Sequence, residues 1–89
     1  MPYWEMIAEG RVQGVGFRWF VLDCALRFGI KGYVRNQYDG TVYILAGGDE
    51  ESLRLFAQVV KQGNAHAIVK ELTIDEHVQS KDYEDFFIA

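Results

Sequence analysis

Residues 30–47 read IKGYVRNQYDGTVYILAG, and the topology turns on this stretch. Residues 30–36 and 41–47 have the composition of two strands, and Asp39-Gly40 between them is a strong hairpin signal. In the second strand Val42, Ile44 and Ala46 point one way, while Thr41, Tyr43 and Leu45 point the other. Working backwards, Gly29 suits the left-handed position that ends a helix. The helix before it spans Arg18 to Phe28, with Phe17, Val21, Ala25 and Phe28 on one stripe. Residues 3–9 alternate as a first strand, with Trp4, Met6 and Ala8 on one face and Tyr3, Glu5, Ile7 and Glu9 on the other. Between strand and helix, GRVQGVGF (residues 10–17) is too rich in glycine to extend a regular strand.

Working forwards from the hairpin, Asp49 is placed to cap a second helix, and Glu50 and Glu51 complement its dipole. Leu53, Phe56, Ala57 and Val60 keep helical spacing up to the stop at Gly63. Residues 66–76 alternate again, with Ile68, Leu72 and Ile74 expected on one face, and a short strand near 85–88 closes the chain. The order strand, helix, strand, strand, helix, strand is the split βαβ arrangement. The expected architecture is therefore an α/β (α+β) ferredoxin-like two-layer sandwich. Both helices lie on one face of an antiparallel sheet, the other face is largely open, and an extra short strand follows at the C-terminus.

With 89 residues, the chain is expected to form one domain, residues 1–89. A chain of this size buries only roughly 60–65% of its unfolded surface, so every element must serve one core. Cys24 is the only cysteine, which excludes a disulfide scaffold. No apolar run approaches the roughly 20 residues that span a bilayer, and MPYWEMIAEG lacks the features of a signal peptide. The expectation is a reduced cytoplasmic protein with no membrane partner. The net charge of −4 is unevenly spread: residues 1–40 hold five basic and four acidic side chains, residues 41–89 four and nine. The acidic total disfavours a polyanion such as nucleic acid, yet Arg11, Arg18 and Arg35 stand beside the glycine-rich stretches.

The loop from Gly10 to Arg18 has the makings of an anion site. Glycine-rich backbone can turn its amides to one side, and the following helix aims free N–H groups and a partial positive charge at the same point. Arg18 adds a planar fork of donors that matches phosphate. Two other glycine motifs are absent: there is no Gly-Lys-Ser/Thr of a P-loop, and the glycines at 14 and 16 are not followed by one at 19.

Two stretches carry a resemblance. GRVQGVGFR (residues 10–18) and GYVRNQYDGTVYILAGG (residues 32–48) are similar to the paired signatures of the acylphosphatase family, in the right order and separation. That resemblance covers essentially the whole chain and implies the same fold. It implies hydrolysis of a carboxyl-phosphate mixed anhydride, that of an acyl phosphate, to a carboxylate and inorganic phosphate. By the same resemblance Arg18 binds the substrate phosphate, the backbone of Gln13, Gly14, Val15, Gly16 and Phe17 cradles it, and Asn36 positions the attacking water. Acetyl, carbamoyl, glyceroyl and aspartyl phosphates all present this anhydride. The base is either the substrate's own phosphate or absent. Two departures stand out. Gly63-Asn64-Ala65 replaces a glycine-proline stretch, remote in sequence from Arg18 and Asn36, and Gly16 sits where some members carry a bulky residue.

A carboxylate leaves readily, so the chemistry asks for positioning and charge stabilisation rather than a strong acid. No cofactor and no metal is expected. His66 and His77 are eleven residues apart without a partner at ligand spacing, and both read as surface or strand-edge residues. Cys24 reads as a structural thiol, Arg11 and Arg35 as solvated charges, and Tyr38 as a turn-flanking aromatic. The chain is expected to be a monomer. An alternative is a non-catalytic RNA-binding or regulatory module of the same topology. Lys31-Gly32-Tyr33 imitates the opening of an RNA-recognition motif, but Val34 and Arg35 stand where a small residue and a stacking aromatic belong. A regulatory module that had lost catalysis would lack Arg18 or Asn36, and both are present.

Overall fold

The computed structural model describes residues 1–89. Its elements run β1 (Tyr3–Arg11), α1 (Phe17–Phe28), β2 (Lys31–Asn36), β3 (Val42–Gly47), α2 (Glu50–Gln62), β4 (Ile68–Val78) and β5 (Phe86–Ile88). The strands form one sheet in the order β4-β1-β3-β2-β5. β1 pairs antiparallel with β3 and β4, and β2 pairs antiparallel with β3. This is the ferredoxin-like α+β sandwich that the element order implies.

Three-residue loop geometry closes the central hairpin. Gln37 N–H donates to the Thr41 carbonyl, Gly40 N–H donates to the Gln37 carbonyl, and Asp39 Oδ1 accepts from Thr41 N–H. Gly40 at φ 92° supplies the left-handed residue that such a loop requires. Gly29 ends α1 at φ 69°, and Asp49 caps α2 by accepting from Ser52 N–H at 2.9 Å. Those Ser52 hydrogen bonds hold the Asp49 carboxyl below its ordinary range.

The helix side of the sheet is the core. Trp4, Met6 and Ala8 from β1 meet Val42, Ile44 and Ala46 from β3, and Val34 from β2. Phe17, Val21 and Ala25 of α1 and Leu53, Phe56, Ala57 and Val60 of α2 close over them. The helical spacing places all of these correctly, and Cys24 joins them as a buried thiol whose pKa burial pushes up. No helix is long and apolar enough to cross a membrane.

Gly32 carries the tightest backbone constraint. It sits at φ 130°, where a Cβ would collide with the carbonyl of Leu45 on the neighbouring strand. Gly32→Ala is expected to cost at least about 3 kcal/mol, from the disfavoured φ and the backbone clash together. Thermal unfolding should show the midpoint falling by more than about 10 °C for a domain of this size.

Three expectations need correction. First, β1 does not stop before Gly10; it continues to Arg11, so the loop proper begins at Val12. Second, Ile68 does not share a face with Leu72 and Ile74. The register passes from Glu9↔Glu71 to Gly10↔Val69, so Lys70 is a bulged extra residue. The bulge reverses the alternation, packing Val69 and Leu72 against the core and leaving Ile68 exposed. Third, the sheet is mixed and its far face is partly covered. β4 descends one edge, and residues 79–85 carry the chain back to the other edge, where β5 ascends parallel to β2. Four inter-strand steps span about 19 Å, within the reach of a short extended segment. Tyr83 on this crossing segment packs against Tyr3, Tyr33 and Phe87, and its N–H donates to the Tyr3 hydroxyl at 2.8 Å. Tyr43 donates its hydroxyl to Glu5 on the same face, and burial, with that carboxylate's help, raises the Tyr43 pKa.

Candidate active site

The segment between β1 and α1 is held at both ends and open in the middle. At its start the Gln13 side chain donates from Nε2 to two hairpin carbonyls, Gln37 at 2.8 Å and Thr41 at 2.9 Å. At its far side Asn64 Nδ2 donates to the Val15 carbonyl at 3.3 Å. Gly14 at φ 73° and Gly16 at φ 75° take left-handed conformations. A Cβ on Gly14 would meet open space, so the backbone angle alone demands glycine there. Gly16 is also the N-cap of α1, which begins at Phe17, and no side chain caps that end.

The consequence is a run of unsatisfied donors. Phe20 N–H, bonded to the Gly16 carbonyl at 3.1 Å, is the first helical amide with a partner. None of the backbone N–H groups from Gly14 through Trp19 donates to any protein acceptor. Consecutive free amides at a helix N-terminus are an anion-binding arrangement. Arg18 stands in this first turn, half-buried and without an ion pair or hydrogen bond to the protein.

Asn36 ends β2, paired with Val42 and exposed, and its side chain likewise has no internal partner. It lines a surface depression of about 470 Å³ with Arg35, Gln37 and Tyr38. Because Gln13 grips the carbonyl of Gln37, the residue after Asn36, the loop and the end of β2 are locked to each other. A larger depression of about 710 Å³ lies at the β1–β4 bulge, between Glu9, Gly10, Arg11, Lys70 and Glu71, and contains none of these residues.

Two side chains do more than the sequence pattern implies. Gln13 acts through its side chain as a strut, in addition to its place in the loop backbone. Asn64, remote in sequence, touches the loop directly. The bare sequence offered only the glycine-asparagine departure as a signal. Arg35 is more than a solvated charge, because its guanidinium lies 4.9 Å from the Tyr43 ring centre and 5.9 Å from that of Tyr33. His66 and His77 are exposed, as expected, but His77 has carboxylate neighbours in space that spacing does not reveal. Its Nε2 lies 3.1 Å from Glu50, with Glu76 alongside. A second bulge, between Tyr3↔Val78 and Glu5↔Asp75, accounts for this by holding His77 at φ 63°.

The class this defines is a small ferredoxin-like α+β sandwich with free amides and an unpaired arginine at its first crossover, a donor set without an acceptor. Comparison with known proteins sharpens this. The acylphosphatase family model matches residues 4–88. The acylphosphatase of Bacillus velezensis is 48% identical over 89 residues, covering 100% of this chain and 99% of that protein. That of Thermotoga maritima is 48% identical over 80 residues, covering 90% and 88%. The crystal structure of acylphosphatase from Bacillus subtilis superposes with a TM-score of 0.96 at 38% identity, covering 100% of this chain and 99% of that one. The chain belongs to the acylphosphatase family. Its activity is the hydrolysis of acyl phosphates, and the RNA-binding and regulatory alternatives are not favoured.

Proposed function

We propose that the backbone of Gln13, Gly14, Val15, Gly16 and Phe17, with Arg18, holds the phosphate of the substrate, and that Asn36 positions the attacking water. The observation that carries this reading is the run of free amides that includes unpaired Arg18, on a loop that Gln13 ties to the residue after Asn36. These groups face solvent without a protein partner, so an arriving phosphate can bind them without breaking any bond of the fold. Amides and guanidinium together offset the charge on the three phosphoryl oxygens as the bond to the carboxylate oxygen breaks. Asn36 is neutral, so it orients water by accepting a hydrogen bond at Oδ1 and does not remove its proton. The water oxygen bonds to phosphorus and the carboxylate departs with the bonding electrons; one water proton stays on that oxygen as a phosphate hydroxyl and the other passes to a phosphoryl oxygen, giving dihydrogen phosphate.

Residues 1–89 form the functional domain in this reading, and one copy suffices, because every proposed group comes from one chain. The reading needs neither metal nor cofactor, and the substrate is a small diffusible acyl phosphate rather than a nucleic acid or a membrane component. The single buried thiol of Cys24 suits the reducing cytoplasm. The test is hydrolysis of acetyl phosphate by protein dialysed against a chelator. Full activity is expected without added metal; loss on chelation and recovery with a divalent cation would overturn the metal-free mechanism.

A further inference from the structure

Asn64 occupies the turn between α2 and β4 and uses both ends of its side-chain amide. Oδ1 accepts from His66 N–H at 3.1 Å and from Ala67 N–H at 2.7 Å, which builds the turn locally. Those two donors identify Oδ1, so the NH₂ group is the end left to reach across the molecule. It donates to the Val15 carbonyl at 3.3 Å, 49 residues away in sequence. Proline, which the family resemblance implies in this stretch, has no side-chain donor with which to make this contact.

The position of that contact matters. Val15 lies between two left-handed glycines, Gly14 and Gly16, so the peptide units around it have the least local restraint in the loop. A trans peptide is planar, with its C=O and N–H on opposite sides. Holding the Val15 carbonyl toward the α2–β4 turn therefore directs the Gly16 N–H the other way. That N–H has no protein acceptor. We propose that Asn64 is a positioning residue for the phosphate cradle. By anchoring the Val15–Gly16 peptide it presents the Gly16 amide to the phosphoryl group. This rests on the loop being the phosphate site.

Two variants separate bracing from turn formation. Asn64→Ala removes both functions. Asn64→Ser keeps a neutral oxygen able to accept from an amide two residues on, but is too short to reach Val15. Both are expected to raise KM for acetyl phosphate and the inhibition constant of inorganic phosphate together. The size expected from losing one hydrogen bond is roughly five- to tenfold, with a smaller change in kcat. Asn64→Ser should keep a near-wild-type melting temperature. Wild-type KM and phosphate inhibition in Asn64→Ser would overturn the proposal and reduce Asn64 to a turn residue. Titrating inorganic phosphate into ¹⁵N-labelled protein distinguishes the two readings. If the amides from Gly14 to Arg18 do not shift in the wild type, the cradle itself is wrong. If they shift, and do so at the same phosphate concentration in both variants, only the role of Asn64 fails.

Discussion

Replacing Arg18 by glutamine is expected to lower kcat/KM for acetyl phosphate by roughly 10²–10³-fold, the usual loss when one preorganised donor to a developing anion is removed. The structural basis is that no protein group competes for Arg18. Arg18 makes no ion pair or hydrogen bond within the protein, so its guanidinium is free to bind an anion at the helix start. The inhibition constant of inorganic phosphate should rise along with the loss of activity. Arg18→Lys should recover only part, because an ammonium restores charge but not the two-pronged geometry. The melting temperature should stay within a few degrees of wild type, as for other surface changes that break no contact. Near-wild-type hydrolysis by folded Arg18→Gln would remove Arg18 from the site.

Asn36→Ala is expected to act on a different constant. With phosphate held by the loop and Arg18, losing the group that orients water should leave the phosphate inhibition constant unchanged. It should lower kcat by at least about a hundredfold, the order of loss from mispositioning one reactant. Asn36 is exposed and makes no side-chain hydrogen bond, so folding should be unaffected. The two variants thus divide binding from turnover. Equal effects on the phosphate inhibition constant would show that Asn36 also holds phosphate, and unchanged kcat would remove it from the chemistry.

How much of this was legible beforehand depended on distance along the chain. Asp39-Gly40, Gly29 and the cap at Asp49 act within a few residues, and each appears where local conformational preference puts it. The buried stripes of both helices follow from spacing alone. The cover on the far face of the sheet is not legible in strand alternation, which does not say what crosses above it. Tyr83 reaches Tyr3 across 80 positions of sequence. The face of Ile68 departs from simple alternation because the bulge at Lys70 is a property of two strands in register, invisible in either one. For the same reason Glu50 and His77 appeared unrelated until the second bulge brought them together.

The candidate site divides along the same line. Taken alone, the sequence was sufficient for the ferredoxin-like element order, the glycines at 14 and 16 and the family signatures, and it named Arg18 and Asn36 as candidates. All of these are written in short-range backbone preference and residue type. Only the tertiary structure decided what holds the loop in shape: Gln13 on the hairpin carbonyls at one end, and Asn64 on the Val15 carbonyl at the other. A flexible glycine loop cannot fix its own amides. The groups that fix them must come from elements folded elsewhere, and which elements those are follows from how the helices and hairpin pack.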